Sequence, residues 1–150
     1  MSDAVMGRLG LGPIDQVAYV VEDMDRALVR YESIFGPFEV SELPLVDCTI
    51  RGRIADCRLK LAVNRSGPVE IELIQVLEGE TTHSEHLRAH GEGPHHVRFR
   101  VTGLDAKLEQ LGEEGFETVF TKRFGPGVGF AYLETPAELG RSVIELLELV

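Results

Sequence analysis

Four polar residues stand within short, strand-like runs of the sequence: Gln16, Glu72, His96 and Glu145. A carboxylate on a half-buried strand is costly unless it is paired with, or bound to, a cation. Two carboxylates, an imidazole nitrogen and an amide oxygen form a mixed donor set for one divalent ion. Because no thiolate joins them, the set excludes a structural zinc site of the cysteine type and leaves zinc, cobalt, nickel, manganese and magnesium as candidates.

Each of these residues also has an ordinary interpretation. Taken alone, Gln16 would be a solvent-facing strand residue, and His96 a hydrogen-bonded histidine. Glu72 and Glu145 would be the polar side of an amphipathic strand. Their joint occurrence at corresponding positions of an internal repeat is what favours a metal site.

The internal repeat covers the beginning and the end of each half of the chain. Residues 14–21 align with residues 94–101, which places Gln16 against His96, and the match continues without a gap into the next segment. Residues 70–74 align with residues 143–147, which places Glu72 against Glu145. A duplicated unit of this length predicts two copies of one supersecondary structure.

Each half has the pattern β-α-β-β-β. Apolar residues at helical spacing predict a first helix with its stripe at Met24, Ala27, Leu28, Tyr31 and Phe35, and a second with Leu104, Leu108 and Leu111. We predict an α+β fold in one domain, residues 1–150, with module one at about 12–78 and module two at about 93–150. A linking helix at about 82–90 is expected to open on the capping pattern Thr82-His83-Ser84-Glu85 and to stop at Gly91. The spacing of His83, His86 and His90 on this helix could suit a metal, but a solvated helix face is the preferred interpretation.

Strand alternation predicts where the polar residues point. Gln16, Glu72, His96 and Glu145 fall on strand faces turned away from the helices. Two such modules commonly pair these faces to make one cleft, so the four side chains are expected to converge there. Arg98 and Arg100 share the face of His96 and could hold a carboxylate, a phosphate or a coenzyme A group; two solvated arginines on an edge strand are an equal alternative.

Composition limits the partners of the protein. In 150 residues, 25 acidic and 15 basic side chains give a net charge of −10, so neither nucleic acid nor a membrane is an expected partner. No apolar run approaches the roughly 20 residues of a membrane span. Met1–Gly12 shows no secretory signal, and two cysteines are too few for a disulfide framework, so a cytoplasmic location is expected.

Several motifs carry a family resemblance over residues 14–150. They are residues 14–18 (IDQVA), 71–74 (IELI), 93–97 (GPHHV), 130–133 (FAYL) and 144–146 (IEL). The chain resembles the vicinal oxygen chelate superfamily, which includes glyoxalase I, methylmalonyl-CoA epimerase, extradiol dioxygenases and bleomycin-resistance proteins. It is most similar to the epimerase and glyoxalase I-like branch. The resemblance implies two paired β-α-β-β-β modules whose sheets form one metal-containing cleft.

The resemblance also implies a function. It implies a divalent-metal-dependent lyase or isomerase that stabilises an enolate or enediolate of a small carbonyl or CoA-thioester substrate. Glu145 is the first choice for the proton-transferring base and Glu72 the second. Arg98, Arg100 and Tyr132 are candidates for substrate contact, and a homodimer is possible.

The sequence departs from the commonest pattern at Gln16, where most relatives of the epimerase-like branch carry histidine. Glutamine there resembles the ligand set of some glyoxalase I enzymes, and it counts against an extradiol dioxygenase, which uses two histidines and one carboxylate around iron. Residues 46–51 offer no match to the second acid/base of an epimerase. Two alternatives stay open: a ligand-binding protein of the bleomycin-resistance kind, and a degenerate paralogue in which Gln16 marks a lost metal.

Overall fold

The computed structural model describes residues 10–150, and within them eight strands and three α-helices follow the predicted order. Module one comprises β1 (Ile14–Val20), α1 (Met24–Phe35), β2 (Glu39–Ile50), β3 (Arg53–Asn64) and β4 (Glu70–Glu78). The linking helix is α2 (Thr82–His90). Module two comprises β5 (Gly93–Arg100), α3 (Leu104–Glu113), β6 (Glu117–Gly125), β7 (Val128–Glu134) and β8 (Val143–Leu149), with a short 3₁₀ turn at Ala137–Leu139. The predicted α+β class and the two β-α-β-β-β units are therefore confirmed. Most of Met1–Gly12, the segment that shows no secretory signal in the sequence, lies outside the described residues.

The eight strands form one closed sheet in the order β1-β4-β3-β2-β6-β7-β8-β5. In each module the first and last strands run parallel, β1 beside β4 and β5 beside β8. The modules join through two antiparallel pairs, β1 with β5 and β2 with β6. Because β5 has a neighbour on both sides, it is not an edge strand, and the alternative that placed Arg98 and Arg100 on an edge is wrong.

The helices cover the outside of the sheet, and a separate core fills its inside. Helix α1 packs Met24 and Ala27 against Leu73, and α3 packs Leu104 and Leu111 in a matching cluster of module two. The inner core contains Ala18, Ile74, Phe120, Phe130 and Tyr132, among others. The predicted alternation is thus realised, with helix-facing residues outside and the opposite faces inside.

A capping aspartate and a glycine set the two ends of helix α1. The Asp23 side chain accepts a hydrogen bond of 3.1 Å from the backbone N–H of Arg26, which satisfies one of the free donors of the first turn. Gly36 follows the last turn with a φ of 87°, a conformation that glycine adopts without strain.

Helix α2 differs from its prediction in two respects. Its N-cap is Thr81 rather than Thr82, because the Thr81 hydroxyl accepts from the backbone of Ser84 while the Ser84 hydroxyl accepts from the backbone of Thr81. His83 is 0% exposed, so the solvated face predicted for the three histidines of this helix is wrong at that position. The helix ends at Gly91, as predicted.

None of the helices in residues 10–150 combines the length and the apolar character needed to cross a membrane.

Candidate metal centre and active site

The four polar residues singled out in the sequence come together inside the closed sheet. Nε2 of His96 lies 2.9 Å from Oε1 of Gln16 and 2.9 Å from Oε2 of Glu145. The same nitrogen lies 3.9 Å from Oε1 of Glu72. All four side chains are buried, so they contact one another with little competition from bulk water.

Strand pairing explains this convergence. Gln16, His96, Glu72 and Glu145 belong to the four adjacent strands β1, β5, β4 and β8. Ala18 of β1 is the register partner of both Glu72 and His96, which brings these residues to the same level of the sheet from opposite sides of β1. Since all four point away from the helices, they share one inner wall.

The donor set suits a divalent cation. For bonds of about 2.0–2.2 Å, donors at neighbouring corners of an octahedron lie about 3 Å apart, and donors at opposite corners about 4 Å or more. The separations of Gln16 and Glu145 from His96 match neighbouring corners, and the Glu72 oxygen lies near the longer value. Within residues 10–150, no three His, Cys, Asp or Glu side chains are already drawn together as a metal site.

The electrostatics of the two glutamates favour a neutralising partner. Burial, and secondly the charge of Glu145, raise the pKa of Glu72 to about 8. Arg98 acts in the opposite direction and lowers the pKa of Glu72, but not enough to offset the burial. The ionised form of Glu72 is thus costly near neutral pH unless a cation neutralises it.

His96 is held from behind by a second histidine. Its Nδ1 lies 2.9 Å from Nδ1 of His95, so one of these nitrogens donates to the other while Nε2 of His96 faces the centre. Burial lowers the pKa of His95 well below its usual range, which keeps that ring neutral and able to accept. The ring of His96 also packs on Tyr132, with centroids 4.8 Å apart.

A second ring of polar contacts lies around the centre and involves residues that were not singled out in the sequence. The Gln16 amide nitrogen donates to Glu70 over 2.5 Å, and Nε of Arg65 donates to the same carboxylate over 2.8 Å. Asp15 accepts from Arg98 over 2.9 and 3.2 Å and from Arg100 over 3.1 Å. Glu70 could have been found from the alternation, because it falls on the face of Glu72, whereas Asp15 gives no such signal.

A cavity of about 180 Å³ opens onto the centre. Glu72, Glu145, Arg98 and Tyr132 contribute its polar side. The remaining wall is apolar and comes from the long strands β2 and β3 together with module two: Leu43, Leu45, Leu59, Leu61, Phe124, Phe130 and Leu147.

The three candidates for substrate contact occupy different positions. Tyr132 lines the cavity, and its hydroxyl lies 3.0 Å from Nε2 of His83. Arg98 also lines the cavity, but its guanidinium is already paired with Asp15. Arg100 pairs with the same aspartate and does not line this cavity, and its side chain is 57% exposed.

Comparison with known families identifies the chain. The model of the Glyoxalase/Bleomycin resistance protein/Dioxygenase superfamily matches residues 15–132, which is most of the sequence. The chain belongs to this superfamily. The resemblance stated from the sequence motifs is therefore confirmed. A comparison with curated protein sequences found no match.

Solved structures share the superfamily fold with this chain. A hypothetical protein from Bacillus halodurans C-125, BH1468, has a TM-score of 0.64 at 21% identity, covering 92% of this chain and 94% of its own. Methylmalonyl-CoA epimerase from Mycobacterium tuberculosis has a TM-score of 0.64 at 23% identity, with coverages of 93% and 89%. A methylmalonyl-CoA epimerase in complex with methylmalonyl-CoA and NH4+ has a TM-score of 0.63 at 21% identity, with coverages of 91% and 94%. At these identities the likeness shows the fold alone.

Proposed function

We propose that this superfamily member is a divalent-metal-dependent lyase or isomerase of the glyoxalase or epimerase kind. The observation that carries the proposal is the placement of Gln16 and Glu145 oxygens 2.9 Å from Nε2 of His96, with Glu72 beside them, at a buried cavity. Gln16, Glu72, His96 and Glu145 would hold the ion. Superfamily members typically bind a divalent metal, which agrees with this donor set.

The chemistry divides between the ion and the two glutamates. When bound, a divalent ion stabilises negative charge that develops on a substrate oxygen. Glu145 takes the proton from the carbon beside the carbonyl and returns it, because its carboxylate faces both the cavity and His96. Glu72 is the second group able to hold a proton, since burial raises its pKa to about 8.

The opposite wall of the cavity constrains the reaction. Its residues on β2 and β3 are leucines, and Asp47, in the segment where an epimerase would need its second acid/base, is exposed and does not line this cavity. Epimerisation would therefore require Glu72 and Glu145 to act on opposite faces of the substrate. We favour a reaction in which one carboxylate removes and returns the proton on the same face of the substrate, because it needs no second base on the opposite face.

The cavity also limits the substrate. A space of about 180 Å³ is smaller than the roughly 300–1,000 Å³ of typical ligand pockets, so only a small group enters it. Its leucine and phenylalanine wall favours a short apolar group next to the reacting carbonyl. Fold relatives that bind methylmalonyl-CoA suggest a CoA thioester, whose large part would stay outside; a small free carbonyl compound fits equally.

The same apolar wall supports a second candidate, a non-catalytic ligand-binding protein of the bleomycin-resistance kind. Such a protein needs the cavity but has no need of two buried glutamates beside a histidine. The buried carboxylates therefore favour the enzyme. A cytoplasmic location and a homodimer belong to the proposal as further expectations.

Metal content tests the proposal directly. Protein without a tag is produced with mixed divalent metals, dialysed, and analysed by plasma mass spectrometry, for wild type and for Glu72→Ala and His96→Ala. Exposed Glu113, at the end of α3, provides the matched control Glu113→Ala. We expect about one ion per chain in wild type and in the control, and loss of the ion in both site variants. A folded wild type without metal would contradict the proposal and favour the ligand-binding protein.

A further inference from the structure

The Gln16 side chain has two chemically different ends, and each meets a different partner. Its Oε1 lies 2.9 Å from Nε2 of His96, and its Nε2 donates to Oε1 of Glu70 over 2.5 Å. The side chain is 0% exposed, so water cannot replace either partner. An amide oxygen can bind a cation, whereas an amide nitrogen carries only donors, so the orientation of this amide decides whether Gln16 can be a ligand.

The carboxylate of Glu70 is fixed by its own surroundings. Glu70 is the register partner of Gln16 across the β1–β4 pair, which places the two side chains next to each other. Nε of Arg65 donates to Oε2 of Glu70 over 2.8 Å, and a guanidinium nitrogen of Arg98 lies 3.6 Å from Oε1. Flanked by two cations, the carboxylate offers acceptors alone to the amide.

We propose that Glu70 is a positioning residue that turns the Gln16 amide so that its oxygen faces the metal centre. Only the NH2 end can satisfy the carboxylate, and the oxygen is therefore directed at His96. The role assigned to that oxygen as a ligand rests on the proposed function; the orientation itself does not. A glutamine flipped by 180° would present donors to the cation and would fail as a ligand.

The orientation is tested on metal-free protein by NMR. The two side-chain amide protons of Gln16 are assigned by their disappearance in Gln16→Ala, and their exchange with solvent is compared in wild type, Glu70→Leu and Glu70→Gln. Glu39→Gln is the matched control, because Glu39 is a second carboxylate beside Arg65, at 3.8 Å, and has no hydrogen bond with Gln16 in the described part of the chain.

We expect amide exchange at least about tenfold faster in Glu70→Leu than in wild type, an intermediate rate in Glu70→Gln, and no change in Glu39→Gln. Glu70→Gln keeps an acceptor oxygen, so it retains part of the orientation and also guards against a folding defect of the leucine variant. Unchanged exchange in both Glu70 variants would overturn the proposal, whatever the protein's metal content.

The consequence for the metal is tested by a double-mutant cycle on Co2+ affinity. Removing a group that orients a ligand typically weakens metal binding by about 10–100-fold. We expect a loss in this range for Glu70→Leu, and no further loss when Glu70→Leu is added to Gln16→Ala. An equal loss in both backgrounds would mean that Glu70 acts only as a distant negative charge, and would overturn the proposal. If wild type bound no Co2+, the proposed function would fail, and the amide exchange would still decide the orientation.

Discussion

The two modules share one fold but supply the centre with unequal groups. At the corresponding first-strand positions, module one places the amide of Gln16 and module two the imidazole of His96. At the corresponding last-strand positions, Glu72 lies 3.9 Å from the histidine nitrogen, whereas Glu145 lies 2.9 Å from it. The duplication thus fixes where the four side chains lie, while their local partners fix what each can do.

The two glutamates differ in their distance from His96 and in their protonation, which suits them to different roles in the proposed function. Oε2 of Glu145 lies 2.9 Å from Nε2 of His96, and the Glu145 side chain lines the cavity where the proposed substrate would bind. Glu72 stands apart, and burial raises its pKa to about 8, so in the absence of a cation it retains its proton at neutral pH. In the proposed function, Glu145 is therefore the base that transfers the proton, and Glu72 is the ligand whose protonation depends on the cation.

The strongest test of the difference between Glu145 and Glu72 removes the proposed base and keeps an oxygen that can bind the ion. Glu145→Gln retains an oxygen for the ion but cannot accept a proton, so we expect deuterium exchange into the substrate to fall by about 10²–10⁴-fold. Glu72→Gln should reduce exchange less. The exchange is followed by NMR in D2O on a panel that includes propionyl-CoA and small hemithioacetals, with metal content measured in parallel.

The truncation Glu145→Ala serves as the stricter variant, because it removes the donor as well as the base. We expect it to abolish metal binding or proton exchange. A Glu145→Ala protein that keeps both the ion and the exchange would show that the two modules do not differ as described.

A bound ion should make Glu72 and Glu145 more alike, because both carboxylates would then be its ligands. It should also stabilise the folded protein. An ion that binds only the folded protein stabilises it by about 2.7 kcal/mol at a concentration 100 times its Kd. We expect Co2+ to raise the melting temperature of the dialysed protein, and to do so much less for Glu72→Ala and His96→Ala. A shift of equal size in all three proteins would indicate binding elsewhere.

The raised pKa of Glu72 predicts a pH dependence of stability in the metal-free protein. The folded state holds a proton up to a pKa of about 8, whereas the unfolded chain releases it near 4.5, so the free energy of unfolding falls as pH rises between these values. His83 acts oppositely, since burial lowers its pKa from 6.5 to about 3, but its contribution ends near 6.5. Between about pH 6.5 and 8, the slope of Glu72 should therefore emerge, amounting to about 1–2 kcal/mol.

Urea unfolding at several pH values measures this slope. We expect Glu72→Gln to flatten it, because an amide does not titrate, while the exposed control Glu113→Gln keeps it. Saturating Co2+ should also flatten it in wild type, since the ion would stabilise the ionised carboxylate. A metal-free wild type whose stability stays constant across this window would contradict the protonated state assigned to Glu72.

The helices and strands, and the convergence of the four polar residues, were predictable from the sequence because both depend on local periodicity. Alternation along β1, β4, β5 and β8 is a property of the extended backbone, and the repeat relates the two halves. The same rule fails at Asp15, where a register shift between Ile14 and Gln16 interrupts the β1–β5 pairing and the aspartate reaches Arg98. Whether the converging residues bind metal stays a prediction.

Burial on α2 could not be predicted from its own sequence. His83 is covered by residues distant in the chain, and its ring contacts Phe120 and Tyr132 from module two. The capping pattern was ambiguous for a related reason: Thr81 and Thr82 are adjacent and chemically equal. The reciprocal hydrogen bonds between Thr81 and Ser84 show that Thr81 caps the helix, while the buried Thr82 hydroxyl has no hydrogen-bond partner among residues 10–150.

The smallest predicted effect concerns helix caps at corresponding positions of the two modules. Asp23 caps α1 through its side chain, whereas Gly103 precedes α3 with a φ of 67° and no side-chain cap. We expect Asp23→Ala to lower the free energy of unfolding by about 1 kcal/mol, measured by urea denaturation, because a first-turn donor loses its acceptor. Asp25→Ala, which alters an exposed carboxylate in the same turn, should cost only a few tenths of a kcal/mol. An equal loss in the two variants would mean that only negative charge, and not the hydrogen bond of Asp23, stabilises the start of α1. The start of α3, which has no side-chain cap, would be stabilised in that way.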